Sequence, residues 1–225
     1  MGNTKEDFKV AESKGEGDLK GKKYKILAEH EHPVIRGLYR IKRNSDGLIG
    51  GWIASESNLS QLGSCFVYDN AKVFGNAMVY GNAGVCDEAK VSGNARIFDK
   101  AWVFDDAVVS GNAVIRDYAR IYGDAMVYGN AGVCDEAEVS GRAVIRDYAR
   151  IYGDAKVYGN AGVCDEAKVF GNARIFDKAW VFDNAVVSGN AVIRDYAKVC
   201  DDAEVSGRAR IRGSRVIGED SKISE

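Results

Sequence analysis

The chain has 225 residues, a formal charge of −2 and a pI near 5.8. That balance offers no strong attraction to nucleic acid or to an anionic lipid surface, and no segment approaches the roughly 18 apolar residues a membrane span needs. No signal-peptide pattern opens the sequence, so the expectation is a cytoplasmic protein without nucleic-acid or membrane partners.

Residues 1–22 are polar, charged and without periodicity, which reads as a disordered tail. Residues 23–64 read as a small N-terminal β cap. Lys25-Ile26-Leu27, Leu38 to Arg43 and Leu48 to Ile53 are strand-like, and Asn44-Ser45-Asp46-Gly47 supplies a turn between the last two.

Residues 65–225 are governed by a six-residue period. From Ala71 to Ala209 an alanine stands at every sixth position, (209 − 71)/6 + 1 = 24 in all, and two residues after each comes Val or Ile. Counted by the aliphatic residue, the frame runs from Val67 to Ile223 as 27 hexads without an insertion. Taking Val73 as position one, the unit is Val73-Phe74-Gly75-Asn76-Ala77-Met78. Position one is β-branched and position five small, which suits a narrow core. Position three is Gly or Asp in nearly every copy, the residues that best tolerate a left-handed corner. Positions two and six are expected to point outward, as alternation along a strand demands. A period of six never produces the 3.6-residue stripe of a helix. Each hexad is therefore a short strand plus a corner, and three hexads close one triangular coil. Nine such coils, stacked by parallel pairing at about 4.8 Å, form an all-β solenoid roughly 43 Å long. Twenty-six glycines against the single proline Pro33 fit this density of turns within a regular sheet. A solenoid leaves a sheet edge open at each end; residues 23–64 would cover one, and no comparable segment follows Ile223.

The V-x-G-N-A-x pattern resembles the hexapeptide repeats of left-handed β-helix proteins. Leu38 to Ile41 (L-Y-R-I) and Gly50 to Leu59 (G-G-W-I-A-S-E-S-N-L) resemble the N-terminal cap of YdcK-like hexapeptide proteins, which also occur in bacteriophages and often carry a transferase label. The resemblance covers about residues 23–223. It implies a single-stranded left-handed parallel β-helix, and it raises the expectation of an acyltransferase-like activity. Hexapeptide acyltransferases typically use a histidine near a projecting loop as general base. Here the two histidines, His30 and His32, both precede the repeats, and no loop interrupts them. No catalytic residue and no cofactor are assigned.

A second level of repetition bears on function. Residues 109–138 and 139–168 match at 27 of 30 positions, and residues 76–119 and 154–197 at 40 of 44. The shifts are five and thirteen hexads. Neither is a multiple of three, so equivalent outward residues land on different sides of the prism. Such steps keep the core and reshuffle the surface.

Among candidate ligands, Cys65 takes an inward position, while Cys86, Cys134, Cys164 and Cys200 take outward position two. Cys164 and Cys200 share a side but stand two coils apart, about 9.6 Å by coil spacing, too far for a disulfide. Corner acids such as Asp87 with Glu88 and Asp135 with Glu136 fall short of the six or more converging oxygens of a calcium site, and no metal is expected. Thr ladders of the ice-binding kind are excluded by a single Thr, Thr4. The outward aromatics carry the most information. Tyr80 and Phe98, Phe104 and Tyr122, Tyr152 and Phe170, and Tyr158 and Phe176 form four pairs, each separated by three hexads, and should stack on adjacent coils. Trp102 and Trp180 are outward at position six. Ladder stacking accounts for these rings structurally; functionally they form the candidate surface for a second copy of the chain, as dimer or trimer, or for another protein. The sequence therefore reads as a non-catalytic, self-associating interaction scaffold. The alternatives are an acyltransferase-like enzyme and a phage-encoded binder that inhibits a host factor.

Overall fold

The computed structural model describes residues 21–225. Most of the tail expected over residues 1–22 lies outside the described residues; Lys22, within them, pairs with Glu56 at 3.1 Å.

The cap is an antiparallel meander of β1 (Tyr24–Glu31), β2 (Tyr39–Arg43) and β3 (Ile49–Ile53). After it, every hexad contributes a two-residue strand made of positions six and one, from Phe66–Val67 to Lys222–Ile223. These strands pair in parallel with their equivalents on the coils before and after, for example Trp102 with Gly84 and Arg120. They form three sheets, of 12, 9 and 9 strands, the largest of which includes β1–β3. The result is an all-β parallel solenoid of three-sided coils, about 10 turns long.

The solenoid begins earlier than the unbroken frame. Ile53 of β3 pairs in parallel with Val73, and Leu59 bridges to Val79. Ile53 and Leu59 stand one hexad apart and are fully buried, so they are the first two inward rungs. An eight-residue step from Leu59 to Val67 hides them from a strict count of six. β3 thus belongs to the cap and to the first coil together, and the G-G-W-I-A-S-E-S-N-L segment is fitted to that double duty. A Cβ on Gly50 would lie 2.5 Å from the Val67 carbonyl oxygen, and one on Gly51 2.6 Å from that of Ala71. Only glycine lets the strand come this close. Asn58, fully buried, accepts from the Ala54 and Ser55 amides and donates to the Gly75 and Ala77 carbonyls at 2.9 Å. One side chain therefore ties cap to coil with every polar group satisfied.

The hexad's chemistry follows from its corner. All 26 corner residues from Asp69 to Glu219 have positive φ, between +48° and +74°. Thirteen are glycine; the rest are aspartate except Glu219. The N–H groups of positions two and six, and most of those of position four, donate to the next coil, as in Tyr80 to Ile97, Gly84 to Ala101 and Asn82 to Asp99. The alanine N–H at position five commonly closes the turn onto position two, as in Ala89 to Cys86 at 3.2 Å. The corner N–H itself finds an acceptor in aspartate. The Asp105 carboxylate takes the N–H of Gly123 one coil on at 3.0 Å, and ten such bonds recur. Aspartate therefore does more than tolerate the corner: it pins consecutive coils together there.

The core is one column of Val or Ile at position one and Ala at position five, nearly all with zero exposure. Removing an interior Ile121 side chain should cost about 2–5 kcal/mol, because neighbours held by ladders above and below cannot collapse into the space.

The corner chemistry predicts an order of stabilities. Asp105→Gly keeps the backbone free to turn and loses only the bond to Gly123, about 1 kcal/mol. Asp105→Val loses that bond and also forces a β-branched residue into positive φ, so its loss should be clearly larger. Thermal melts that place the two variants together would contradict this origin of corner stability.

Candidate functional site

The cap histidines lie at the tip of the β1–β2 hairpin. His30 is exposed, its Nδ1 3.5 Å from Glu29. His32 uses Nδ1 to accept the Val34 and Ile35 amides at 3.2 and 3.0 Å, and its ring meets Trp52 edge-on at 4.7 Å. Desolvation, then the positive charges of Lys72 and Arg40, hold its pKa below the ordinary imidazole value. Protonating Nδ1 would also remove both acceptor bonds. His32 thus acts as the cap of a turn.

The thiols and corner acids are grouped in a way that spacing along the chain does not reveal. Cys86, Cys134, Cys164 and Cys200 each stand beside the aspartate that follows and the corner aspartate of the preceding coil, for instance Asp69, Cys86 and Asp87. Each set offers three ligand atoms within 4.8 Å of one another. Cys164 and Cys200 stand outside the inward Val/Ile–Ala column, as expected, yet are buried: position two lies where coil edges above and below cover it. Burial, reinforced by a hydrogen bond to the adjacent aspartate, raises the thiol pKa of Cys86 and Cys164 to about 12 and of Cys200 to about 11; burial also raises that of Cys134. The protonated thiols of Cys86 and Cys164 donate to Asp87 and Asp165 at 3.2 and 3.1 Å. In the sets of Cys86, Cys134 and Cys200 the earlier aspartate already accepts a backbone amide. The geometry is that of hydrogen-bonded corners. All five cysteines are free.

The four aromatic pairs stack as expected. Tyr80 with Phe98, Phe104 with Tyr122, Tyr152 with Phe170, and Tyr158 with Phe176 have centroids 4.7–4.9 Å apart and planes within 5°. Their exposure differs from the simple outward placement that strand alternation predicts. Phe98, Tyr122 and Phe170 are half-buried, as are their partners Tyr80, Phe104 and Tyr152. The reason is that of the cysteines: position two sits at the coil edge, where the ring of the neighbouring coil covers one face. Phe98 and Phe170 turn that face to a tyrosine, and Tyr122 also donates its hydroxyl to Glu138 at 3.4 Å. These rings are therefore ladder contacts first, with only part of their area left for a partner.

Trp102 and Trp180 lie flat on the sheets. An added Cβ at Gly84 would meet the Trp102 ring at 2.5 Å, and one at Gly162 the Trp180 ring at 2.6 Å. Each indole therefore rests on a glycine one coil earlier, and Trp102 also stacks with Tyr68 at 6.1 Å.

More exposed than any of these are Tyr118, Tyr148 and Tyr196, at 54, 60 and 57%. They occupy position four, where the sequence pattern predicts turn chemistry. Each belongs to a copy of I-R-D-Y-A, and the copies start at Ile115, Ile145 and Ile193. Those three isoleucines belong to the three different sheets, so each prism edge carries one protruding tyrosine. Lys100 and Lys178 donate to the Tyr118 and Tyr196 hydroxyls and lie over their rings at 4.7 and 5.0 Å. A cationic groove of about 550 Å³ follows along one face near the last coils, where Arg174, Arg194, Arg210, Arg212 and Arg215 flank Tyr158 and Phe176. No helix among the described residues is long and apolar enough to cross a membrane.

Comparison with protein families matches three stretches, residues 71–87, 119–135 and 149–165, to the YdcK β-solenoid repeat. A comparison with curated proteins found no match.

Two measurements check the site chemistry. The folded protein should react slowly with Ellman's reagent at pH 8 and release all five thiols once unfolded; rapid reaction of the folded form would show a thiolate the geometry does not allow. His32 should titrate below the usual imidazole range by NMR. Because its folded pKa lies below the unfolded one, its contribution to hairpin stability is complete above the ordinary imidazole pKa and is lost as pH falls through the folded value. A His32 pKa above the ordinary value would contradict the turn-cap role.

Proposed function

Taking the protein as a YdcK-like repeat β-solenoid, we propose that it is a non-catalytic scaffold, a stiff prism that associates with itself and with another protein through residues displayed around its perimeter. The observation that carries this reading is the distribution of equivalent corners. The I-R-D-Y-A corner occurs once on each of the three edges, with Arg116–Asp117 and Arg146–Asp147 pairs at 2.5 Å in two of them. The G-V-C-D-E-A segment likewise begins at Gly84, Gly132 and Gly162, one in each sheet. A catalytic site needs several groups converging on one place, whereas here like groups diverge around the axis. Divergent copies of a large aromatic suit contacts with several neighbours at once, where modest affinities multiply. The stacked pairs, Tyr80 with Phe98, Phe104 with Tyr122, Tyr152 with Phe170 and Tyr158 with Phe176, together with Trp102 and Trp180, would add their exposed area to the same contacts.

The chain is expected to be at least a dimer by light scattering at tens of micromolar, and Tyr118→Ala, Tyr148→Ala and Tyr196→Ala together should reduce its mass. Two deletions separate repetitive display from a single site. Removing residues 139–168 takes out five hexads and turns everything beyond the junction by a third of a coil relative to the cap. Removing residues 139–156 takes out one coil, about 4.8 Å, and keeps the facing. Both should retain β circular dichroism and association. Loss of association only in the five-hexad deletion, with its dichroism intact, would mean that one face carries the function.

A further inference from the structure

We propose that the hollow over Gly132 is a binding slot for a planar aromatic anion of the aryl-carboxylate class. The chain provides two internal precedents for its floor. Gly84 and Gly162 stand at position six of equivalent G-V-C-D-E-A segments, and each is covered by an indole from the following coil, Trp102 or Trp180. Gly132 is the third copy. Its register partner on the following coil is Arg150, and an added Cβ there would meet nothing within 4 Å. The five-hexad duplication repeated the glycine without placing a tryptophan opposite it. A glycine floor that receives an indole on two faces of the prism is therefore bare on the third.

The walls of this groove, about 550 Å³ in volume, select the charge. Arg116, Arg150 and Lys168 line it with Val114 and Tyr152. Arg150 and Lys168 are neighbours on the same ladder, and among the described residues neither has an ion-pair partner. Arg116 is already engaged by Asp117 at 2.5 Å, and the one acid lining the groove is Asp135. An aromatic ring lying on Gly132 would reproduce the Trp-on-Gly contact, with Val114 and Tyr152 at its rim. A carboxylate on that ring would meet the two unpaired cations in charge-assisted hydrogen bonds. Tyr152 and Arg116 are shared with the proposed association surface, but Gly132, Arg150 and Lys168, which define the slot, are not, so ligand shifts and the mass of the chain test the two readings separately.

Indole-3-acetate is the probe, with neutral indole-3-acetamide and non-planar cyclohexylacetate as comparisons, followed by amide chemical shifts of the full chain. Saturable shifts centred on Gly132, Val133 and Arg150 are expected, with each comparison compound about tenfold weaker. Arg150→Trp rebuilds the covering indole seen at positions 102 and 180 and should abolish the shifts. Gly132→Val, which places at 132 the residue type already present at its ladder neighbour Val114, should do the same if Arg150→Trp fails to fold. No saturable shift, shifts centred elsewhere, equal binding of the neutral amide, or unchanged binding in the folded slot-filled variant would each overturn the proposal.

Discussion

Everything in this structure depends on a backbone that enters the left-handed region once every six residues. Placing an L-residue other than Gly, Asn or Asp there costs about 1–2 kcal/mol, and the 26 consecutive corners are sustained by a sequence that puts Gly or Asp at all but the last of them, Glu219. Glycine meets it by having no Cβ. Aspartate meets it and adds a carboxylate that takes the corner amide of the next coil, as Asp105 does for Gly123. Once corners are fixed at this interval, the two residues between them that face inward must be a β-branched side chain and an alanine. The interior of a three-sided coil has room for little else, and the ladder bonds along the axis prevent it from widening.

That constraint explains how the surface can be rearranged while the core stays constant. Any duplication that is a whole number of hexads preserves every inward side chain and every corner. One that is not a multiple of three hexads moves the outward residues to another side. The I-R-D-Y-A corners beginning at Ile115, Ile145 and Ile193 reach three different edges by this arithmetic. Contacts that need a partner on the adjacent coil survive only where both partners move together. Tyr152 and Phe170 stack, and Gly162 has an indole over it, whereas Gly132 has none. Surface chemistry in such a protein is a matter of phase between copies.

The fold was legible in the sequence because its determinants are single residues at fixed positions. The inward column, the corners, the coil of three hexads and the four stacked aromatic pairs all follow from a period of six and its triple. The start of the solenoid was hidden because the eight-residue step between Leu59 and Val67 breaks the count, although Ile53 and Leu59 keep the spacing before it. The burial of Cys164 and Cys200, and the half-burial of Phe98, Tyr122 and Phe170, were hidden because strand alternation says nothing about cover from coil edges above and below. The protrusion of Tyr118, Tyr148 and Tyr196 was missed because turn chemistry at position four takes no account of the size of the side chain. The Trp-on-Gly contacts were present as a signal, a position-six glycine one coil before each of Trp102 and Trp180. In that contact the missing side chain is one of the two partners.

Corner and ladder bonds make one continuous, stiff prism from the cap to the last coils. Hydrogen exchange resolved along the chain tests it most directly. A continuous prism predicts uniformly strong protection of the position-two and position-six amides from Tyr68 through Cys200, whichever copy they belong to, with weaker protection only toward Lys222–Ile223. A run of rapidly exchanging amides in the interior, for example across the junction of the duplicated segments near Val139, would show separate modules joined by a hinge and would contradict it.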